Sequence, residues 1–255
     1  MKPKFIFLVA LTPPSYMNPL RAVLQKNCIN SLKQIKGDNY LALLLGEENK
    51  VDKKLHYIAS PQGNKGIKLA FAIEYLVQQK IQYTHLCRFD DDDIINPNIL
   101  NQLYESNADC FADKYHGFYD LTSNRILLAK KNWMANTVFM KKEHALHIMP
   151  NNRTLIEQDH AESWQSYFES KKIYYVSKNS PIYLRVLSPT SITALSDTAT
   201  DYVAYLNTFG DWSRTNRHGQ FSHICNSINW DIKTQFIDMI RPVVSKNWLQ
   251  RLLKI

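Results

Sequence analysis

The chain has 255 residues, 45% of them hydrophobic, which is enough apolar surface for one large core or two small ones. Seven glycines and no internal repeat exclude collagen-like and solenoid architectures. The four cysteines (Cys28, Cys87, Cys110, Cys225) form no CxxC pair, which excludes the usual disulfide-rich and zinc-ligand patterns and reads as reduced core thiols in a cytoplasmic protein. The net charge of +8 is uneven: from Arg214 to Ile255 seven Lys and Arg stand against Asp231 and Asp238, which suits either an anionic partner or a solvated helix face.

The first element is "KFIFLVAL" (Lys4 to Leu11), apolar throughout. Lys2 and Lys4 ahead of it imitate a signal peptide. Its seven apolar residues and the Pro13-Pro14 that follows, with no small-residue cleavage site, make a buried parallel strand the expectation. No run approaches the ~20 apolar residues of a membrane-spanning helix. Leu20, Val23, Leu24, Cys28, Leu32 and Ile35 recur at helical spacing from about Asn18 to Ile35, and Gly37-Asp38 stops that helix. "YLALLLG" is the next strand, an acidic-basic loop follows, and "KLHYIAS" is a third strand. "GIKLAFAIEYLVQQK" reads as a second amphipathic helix and "THLCRF" as a fourth strand. This alternation predicts an α/β fold with a mostly parallel central sheet and helices on both faces.

Further on, "ILNQLYES" reads as a short helix and "GFYDLTSNRILLAKK" as a hairpin turning at Thr122-Ser123-Asn124. "TVFMKKEHALHIM" starts as a strand and turns helical, and Glu157 to Ser170 is expected to be helix. Ser188 to Asp201, rich in Ser, Thr and Asp, is expected to be loop. Pro242 divides the end of the chain into two short helices.

The informative stretch is "HLCRFDDDDIINP" (His85 to Pro97). Four adjacent carboxylates repel one another, and strands disfavour Asp, so something must compensate. The run begins where a buried strand ends, the edge at which parallel sheets bind ligands. Oxygen clusters select hard cations such as Mg²⁺ or Mn²⁺, which are commonly shared with a diphosphate. A solvated acidic loop is the plainer reading of a bare acid run. Here Ile94-Ile95-Asn96-Pro97 takes the chain straight back into the core, which favours the cation. A calcium loop counted from Asp90 would need Gly and Glu where Ile95 and Asn101 stand.

"RFDDDDIINP" resembles the Asp-x-Asp-Asp segment of nucleotide-sugar glycosyltransferases of the GT-A fold, family 2 above all. "SPQGNKGIKLAFAIEYL" resembles their Asn-x-Gly-x-x-x-Ala helix start, with Asn64, Gly66 and Ala70. "NTVFMKKEHALHI" is similar to the piece ahead of the acceptor site, and "TLIEQDHAESW" to the segment that carries the base. The resemblance covers roughly residues 4 to 170. It implies a GT-A domain over 1–213, with a nucleotide-binding half at 1–100 and an acceptor half at 101–213, and a small basic helical extension at 214–255. It implies Mn²⁺ or Mg²⁺ on Asp92 and Asp90, with His218 as a late ligand or else a surface or core histidine like His223. Nucleotide contacts would come from Thr12, Pro13, Asn64, Gly66, Lys68, Arg88, Asp90, Asp91 and Asp93. Arg88 would pair with the acid run or touch phosphate; Asp91 would be the least involved of the four acids. The base would be Asp159, with Glu157 and Glu162 behind it, unless Asp159 merely caps a helix.

The implied function is inverting sugar transfer from a nucleotide-diphosphate donor, UDP-sugar first, to a glycan or lipid-linked acceptor of a bacterial surface polymer, such as lipopolysaccharide or capsule. Trp133, Trp164, Tyr167 and Trp212 would suit either sugar stacking or core filling. The tail "VVSKNWLQRLLKI" is a basic amphipathic pattern that suits either an anionic membrane surface at 244–255 or packing back on the domain, so the expected location is the cytoplasm or the inner face of its membrane. The rival class is a non-catalytic basic module for membrane or nucleic acid. No nucleic-acid motif is present, so nucleic acid is not an expected partner.

Overall fold

The computed structural model describes residues 4–103, 107–123, 125–131, 138–158, 161–188, 202–212, 216–217, 221 and 224. The first strand, β1 (Phe5–Ala10), is buried on both faces. Its alternate side chains enter two different cores, as strand geometry requires. Phe5, Phe7 and Val9 meet Cys28 and Leu32 of helix α1 (Pro19–Lys33), while Ile6 and Leu8 meet Leu69, Ala72 and Leu76 of helix α2 (Lys65–Gln78). Each such Leu contributes roughly 1.5–3 kcal/mol by leaving water. One helix therefore lies on each face of the sheet. Asn18 and Asn64 start these helices by accepting from the amides of Arg21 (2.9 Å) and Ile67 (3.1 Å).

Between the helices run β2 (Tyr40–Gly46), β3 (Lys50–Asp52) and β4 (Leu55–Ala59), and after them β5 (His85–Asp90). A two-residue β6 (Ile94–Ile95), α3 (Ile99–Leu103), β7 (Cys110–Ala112), β8 (Tyr115–Asp120), β9 (Arg125–Lys130), β10 (Phe139–Lys141) and α4 (Lys142–Ala145) follow. The described chain then has α5 (Ala161–Phe168), β11 (Ile173–Tyr175), β12 (Tyr183–Leu187), α6 (Tyr202–Asn207) and β13 (Asn216–Arg217).

The larger sheet has the order β11-β7-β10-β5-β1-β2-β4-β3. β5, β1, β2 and β4 are parallel neighbours. β10 runs against both β5 and β7, which returns β7 and its parallel neighbour β11 to the common direction. Six of the eight strands thus point one way, with β10 and the edge strand β3 reversed. Ala10 is level with Leu45 on one side and Asp90 on the other, so β1, β2 and β5 end together. The smaller sheet, β13-β9-β8-β12-β6, starts from the acid run itself, because β6 leaves it to pair antiparallel with β12. Leu20 and Leu24 of α1 pack on one face of this sheet; Tyr202, Tyr205 and Phe209 pack on the other.

The mostly parallel α/β expectation agrees with this architecture. Four features depart from the sequence reading. The loop before "KLHYIAS" contains β3, hairpinned to β4. The stretch from Glu157 to Ser170 is not one helix: a 3-10 turn at Leu155–Glu157 gives way to extended Gln158, and α5 starts at Ala161. β7, β11 and β12, short strands whose partners lie far away in sequence, were not foreseen, nor was α6. Strands from beyond residue 100 complete the larger sheet, so the two expected halves share it. Cys28, Cys87 and Cys110 are free and buried; Cys225 lies outside the described residues. The expected loop at 188–201 beyond Ser188 and the C-terminal helices also lie outside them. No described helix is long and apolar enough to cross a membrane.

Candidate functional site

The acid run occupies the hinge between the two sheets, and its four carboxylates have four different surroundings. Asp91 is spent on the fold. Its Oδ2 accepts from the Thr12 amide (2.6 Å) and from Gln25 Nε2 (2.7 Å), and its Oδ1 from Thr12 Oγ1 (3.1 Å), tying the exit of β1 to α1 and β5. Arg21 stands beside it, 3.9 Å from Asp91 Oδ1 and 3.8 Å from Asp92 Oδ2, and donates to Thr12 Oγ1. Asp93 is buried, and its Oδ1 accepts from the Val186 amide of β12 at 3.0 Å. Burial and the neighbouring Asp92 and Asp90 push its carboxyl well above the usual range, against Arg185 and that amide.

Asp90 and Asp92 keep 32% and 23% of their side-chain surface open, which puts these two on the cavity wall. Asp90 is ion-paired with Lys65 from the first turn of α2. Burial raises Asp90, but Lys65, Arg88 and Arg185 more than offset it, so its carboxyl sits below the usual range. Asp92 is the one left undercompensated. Burial, Asp90 and Asp91 push it up to about 6, and Arg21 and Arg185 offset this only in part.

The cavity above these acids measures about 390 Å³. Thr12 and Pro13 line it from the exit of β1, Asn64, Lys65 and Lys68 from the start of α2, and Arg185, Val186 and Tyr205 from the second sheet and α6. An adjoining cavity of about 780 Å³ shares Thr12, Pro13, Asn64 and Lys68 with it and runs past the ends of β2 and β4, along Gly46, Glu47, Ser60 and Gln62. Lys68 donates to Leu11 O (2.8 Å) and Leu45 O (3.4 Å), bracing two strand ends; burial lowers its pKa. Gly66 lines a third cavity of about 490 Å³, where a Cβ would stand 2.7 Å from Arg153 Nη2.

The sequence candidates are therefore divided, with Gly66 at the third cavity rather than the first. Thr12, Pro13, Asn64, Lys68 and Asp90 to Asp93 meet around one cavity. Arg88 and Glu157 do not line that cavity, although the Arg88 charge still helps to lower Asp90. Buried Arg88 donates through Nη1 to Gln158 O (2.6 Å) and Ile156 O (3.3 Å), with its guanidinium 5.4 Å over the Trp164 ring, and so secures the 156–158 segment rather than lining the cavity. Glu157 closes a capping box with Thr154, accepting from its amide (2.8 Å) and its hydroxyl, so its carboxylate is taken up by the turn. Asp159, His218, His223 and Trp133 lie outside the described residues, as does the side chain of Glu162. Trp164 is fully buried, so of its two readings it is core filling that holds. The Trp212 indole donates to Leu206 O (2.8 Å).

Sequence reasoning missed Arg21, Gln25, Lys65, Arg185 and Tyr205. One signal was legible: in "YLRVL" a charge interrupts an otherwise buried strand.

The chemistry of the donor set fits a divalent cation. Asp90, Asp92 and Asp93 each offer an oxygen, and the three oxygens lie within 4.8 Å of one another. These are hard ligands, and Asp92, raised first by burial and then by Asp90 and Asp91, is brought back only in part by Arg21 and Arg185.

No family model matches the chain, and no curated protein matches it. Solved structures do overlay on it. The glycosyltransferase GlyE of Streptococcus pneumoniae TIGR4 is 12% identical with a TM-score of 0.41, over 92% of this chain and 64% of GlyE. The inositol-1-phosphate CTP transferase of T. maritima is 13% identical with a TM-score of 0.41, over 82% of this chain and 96% of that one. A glycosyltransferase involved in glycosylation of the major capsid of PBCV-1 is 14% identical with a TM-score of 0.34, over 87% and 99%. At such identities and scores these likenesses assign nothing to this chain.

Proposed function

We propose that this chain is a metal-dependent glycosyltransferase of the GT-A type, moving a sugar from a nucleotide-diphosphate donor, UDP-sugar first, to a glycan or lipid-linked acceptor. The observation that carries the reading is the division of labour within the acid run. Asp91 ties the exit of β1 to α1 and Asp93 joins the acid run to the second sheet, while Asp90 and Asp92 are the more open of the four acids around a cavity beside the start of a capped helix. Asp90 and Asp92, with Asp93, would hold Mn²⁺ or Mg²⁺, which when bound would stabilise the charge of the departing diphosphate. Thr12, Pro13, Asn64 and Lys68 line the side on which the nucleotide would lie.

In the inverting reaction the acceptor hydroxyl oxygen attacks the anomeric carbon, whose bond to the phosphate oxygen breaks with its electron pair going to the diphosphate. The hydroxyl proton passes to a carboxylate, Asp159 on the sequence pattern, since Glu157 serves its own turn. The basic segment 244–255 would hold the enzyme at the cytoplasmic membrane face, where a lipid-linked acceptor of a surface polymer is made.

Thermal-shift titration with UDP, GDP, CMP and dTDP, each with and without Mn²⁺, tests the reading. A ligand at a hundred times its Kd adds about 2.7 kcal/mol of stability, so one nucleotide should raise Tm by several degrees, only with metal, and Asp92→Asn should remove the effect. No shift with any nucleotide at millimolar concentration would sink the proposal and favour the basic binding module.

A further inference from the structure

The cavity has two walls of different origin. On the wall built from the larger sheet, every cation has a bracing task. Arg21 holds Thr12 Oγ1, Lys68 holds the carbonyls of Leu11 and Leu45, and Lys65 holds Asp90. The opposite wall comes from β12 and α6, and among the described lining residues its cation is Arg185.

Arg185 is held with unusual care for a cavity-lining side chain. Its strand is fastened to the acid run on both sides of it. Leu184 pairs with Ile94 of β6, and the Val186 amide donates to Asp93 Oδ1. Its guanidinium stands 5.6 Å over the Phe209 ring just beyond α6. Burial works against its charge, but Asp93, Tyr183, Tyr205 and Asp90 outweigh burial and keep it protonated. A buried cation costs stability unless it is paired, and Asp93 and Asp90 supply that pairing here.

Four carboxylates on the cavity floor would by themselves repel a phosphate. A guanidinium facing them from the other wall changes that, because its planar fork matches carboxylate and phosphate oxygens alike. We propose that Arg185 binds the diphosphate of the nucleotide donor, gripping it from the wall opposite Lys65, with Phe209 and the acid run holding the guanidinium in place beforehand. This rests on the nucleotide-diphosphate reading of the cavity. The competing role is pure neutralisation of Asp93 and Asp90, with no contact to ligand.

The two roles predict opposite changes, and purified Arg185→Met and Arg185→Lys separate them. Calorimetry would measure Mn²⁺ alone, then UDP, GDP and dTDP and the three matching monophosphates at saturating Mn²⁺. Loss of a charge-assisted contact to phosphate is worth about 10- to 100-fold. Arg185→Met should therefore weaken the diphosphate that the wild type selects by about that factor and leave its monophosphate within about threefold. It should bind Mn²⁺ alone as tightly as the wild type or more tightly, because a like charge has gone from beside the carboxylates. Arg185→Lys, which keeps the charge and loses the fork, should fall between, and decides the matter if the Met variant does not fold.

Unchanged or tighter diphosphate binding in both variants would overturn the contact and leave Arg185 a neutraliser. Equal loss of Mn²⁺, monophosphate and diphosphate binding would also overturn it, showing a collapsed site. A wild type that binds no nucleotide would instead defeat the parent reading, and this inference with it.

Discussion

His116 shows how much a single buried residue can say about pH. It is 1% exposed on β8, and neither ring nitrogen has a hydrogen-bond partner among the described residues. Burial, helped by the nearby Arg185, lowers its pKa from 6.5 to about 4, so the folded protein holds it neutral. Between those values the unfolded chain binds the proton and the folded one does not. Stability is therefore lost as pH falls from about 6.5 towards 4, by up to about 3 kcal/mol from this residue. His85, lowered to about 4 by burial and Lys141, acts in the same direction. Asp92, raised to about 6, acts in the opposite one, favouring the fold less as pH rises through that value. A difference measurement isolates the histidine. Urea unfolding of His116→Phe against wild type at pH 7 and pH 5 should show the variant losing less stability on acidification; identical pH dependence would refute the assignment. The same residue-by-residue view applies to the acid run, whose members look interchangeable in sequence and differ in every partner.

At the scale of elements, the junction of β8 and β12 is close at Gly117. Gly117 pairs with Leu184 across parallel strands, and a Cβ there would stand 2.5 Å from Leu184 Cδ2 and 3.3 Å from Tyr183 O. Leu184 is fully buried and pairs onward to Ile94, directly behind the acid run. Gly117→Ala is expected to destabilise by about 1–3 kcal/mol as the strands shift apart, read from the urea midpoint. It should weaken Mn²⁺ binding as well, because β12 carries the Val186 amide that holds Asp93; a neutral substitution would mean that Leu184 simply changes rotamer. Elements of this kind were the hard ones to read. β1, α1, β2, α2 and β5 run six to fifteen residues as continuous apolar runs or helical periods, and the sequence pattern locates them closely. β7 and β11 have three residues each, too few for a period to show; distant partners make them strands.

At the scale of the whole molecule, charge is spread unevenly along the chain. Among the described residues lining the 390 Å³ cavity, Asp90 to Asp93 face Arg21, Lys65, Lys68 and Arg185, so that cavity is close to balanced. From Arg214 onward the sequence carries +5 of the +8 net charge. On the proposed reading that excess meets an anionic membrane. The full chain should sediment with phosphatidylglycerol vesicles at low salt and be released as salt rises. A Lys246→Gln, Arg251→Gln, Lys254→Gln variant should stay largely in solution; binding that ignores both salt and these residues would remove the membrane from the picture.

Sequence by itself determined the α/β class, the two helices on opposite faces of the sheet, and the placing of four carboxylates at a strand's carboxyl end. These follow from local period and order along the chain, which need no long-range information. Only the tertiary structure decided which carboxylates face the cavity, that Glu157 and Arg88 brace a turn, and that Arg185 arrives from a strand some ninety residues away. The reason is physical. A side chain's role is set by the partners that burial brings within hydrogen-bond reach, and those partners are neighbours in space alone.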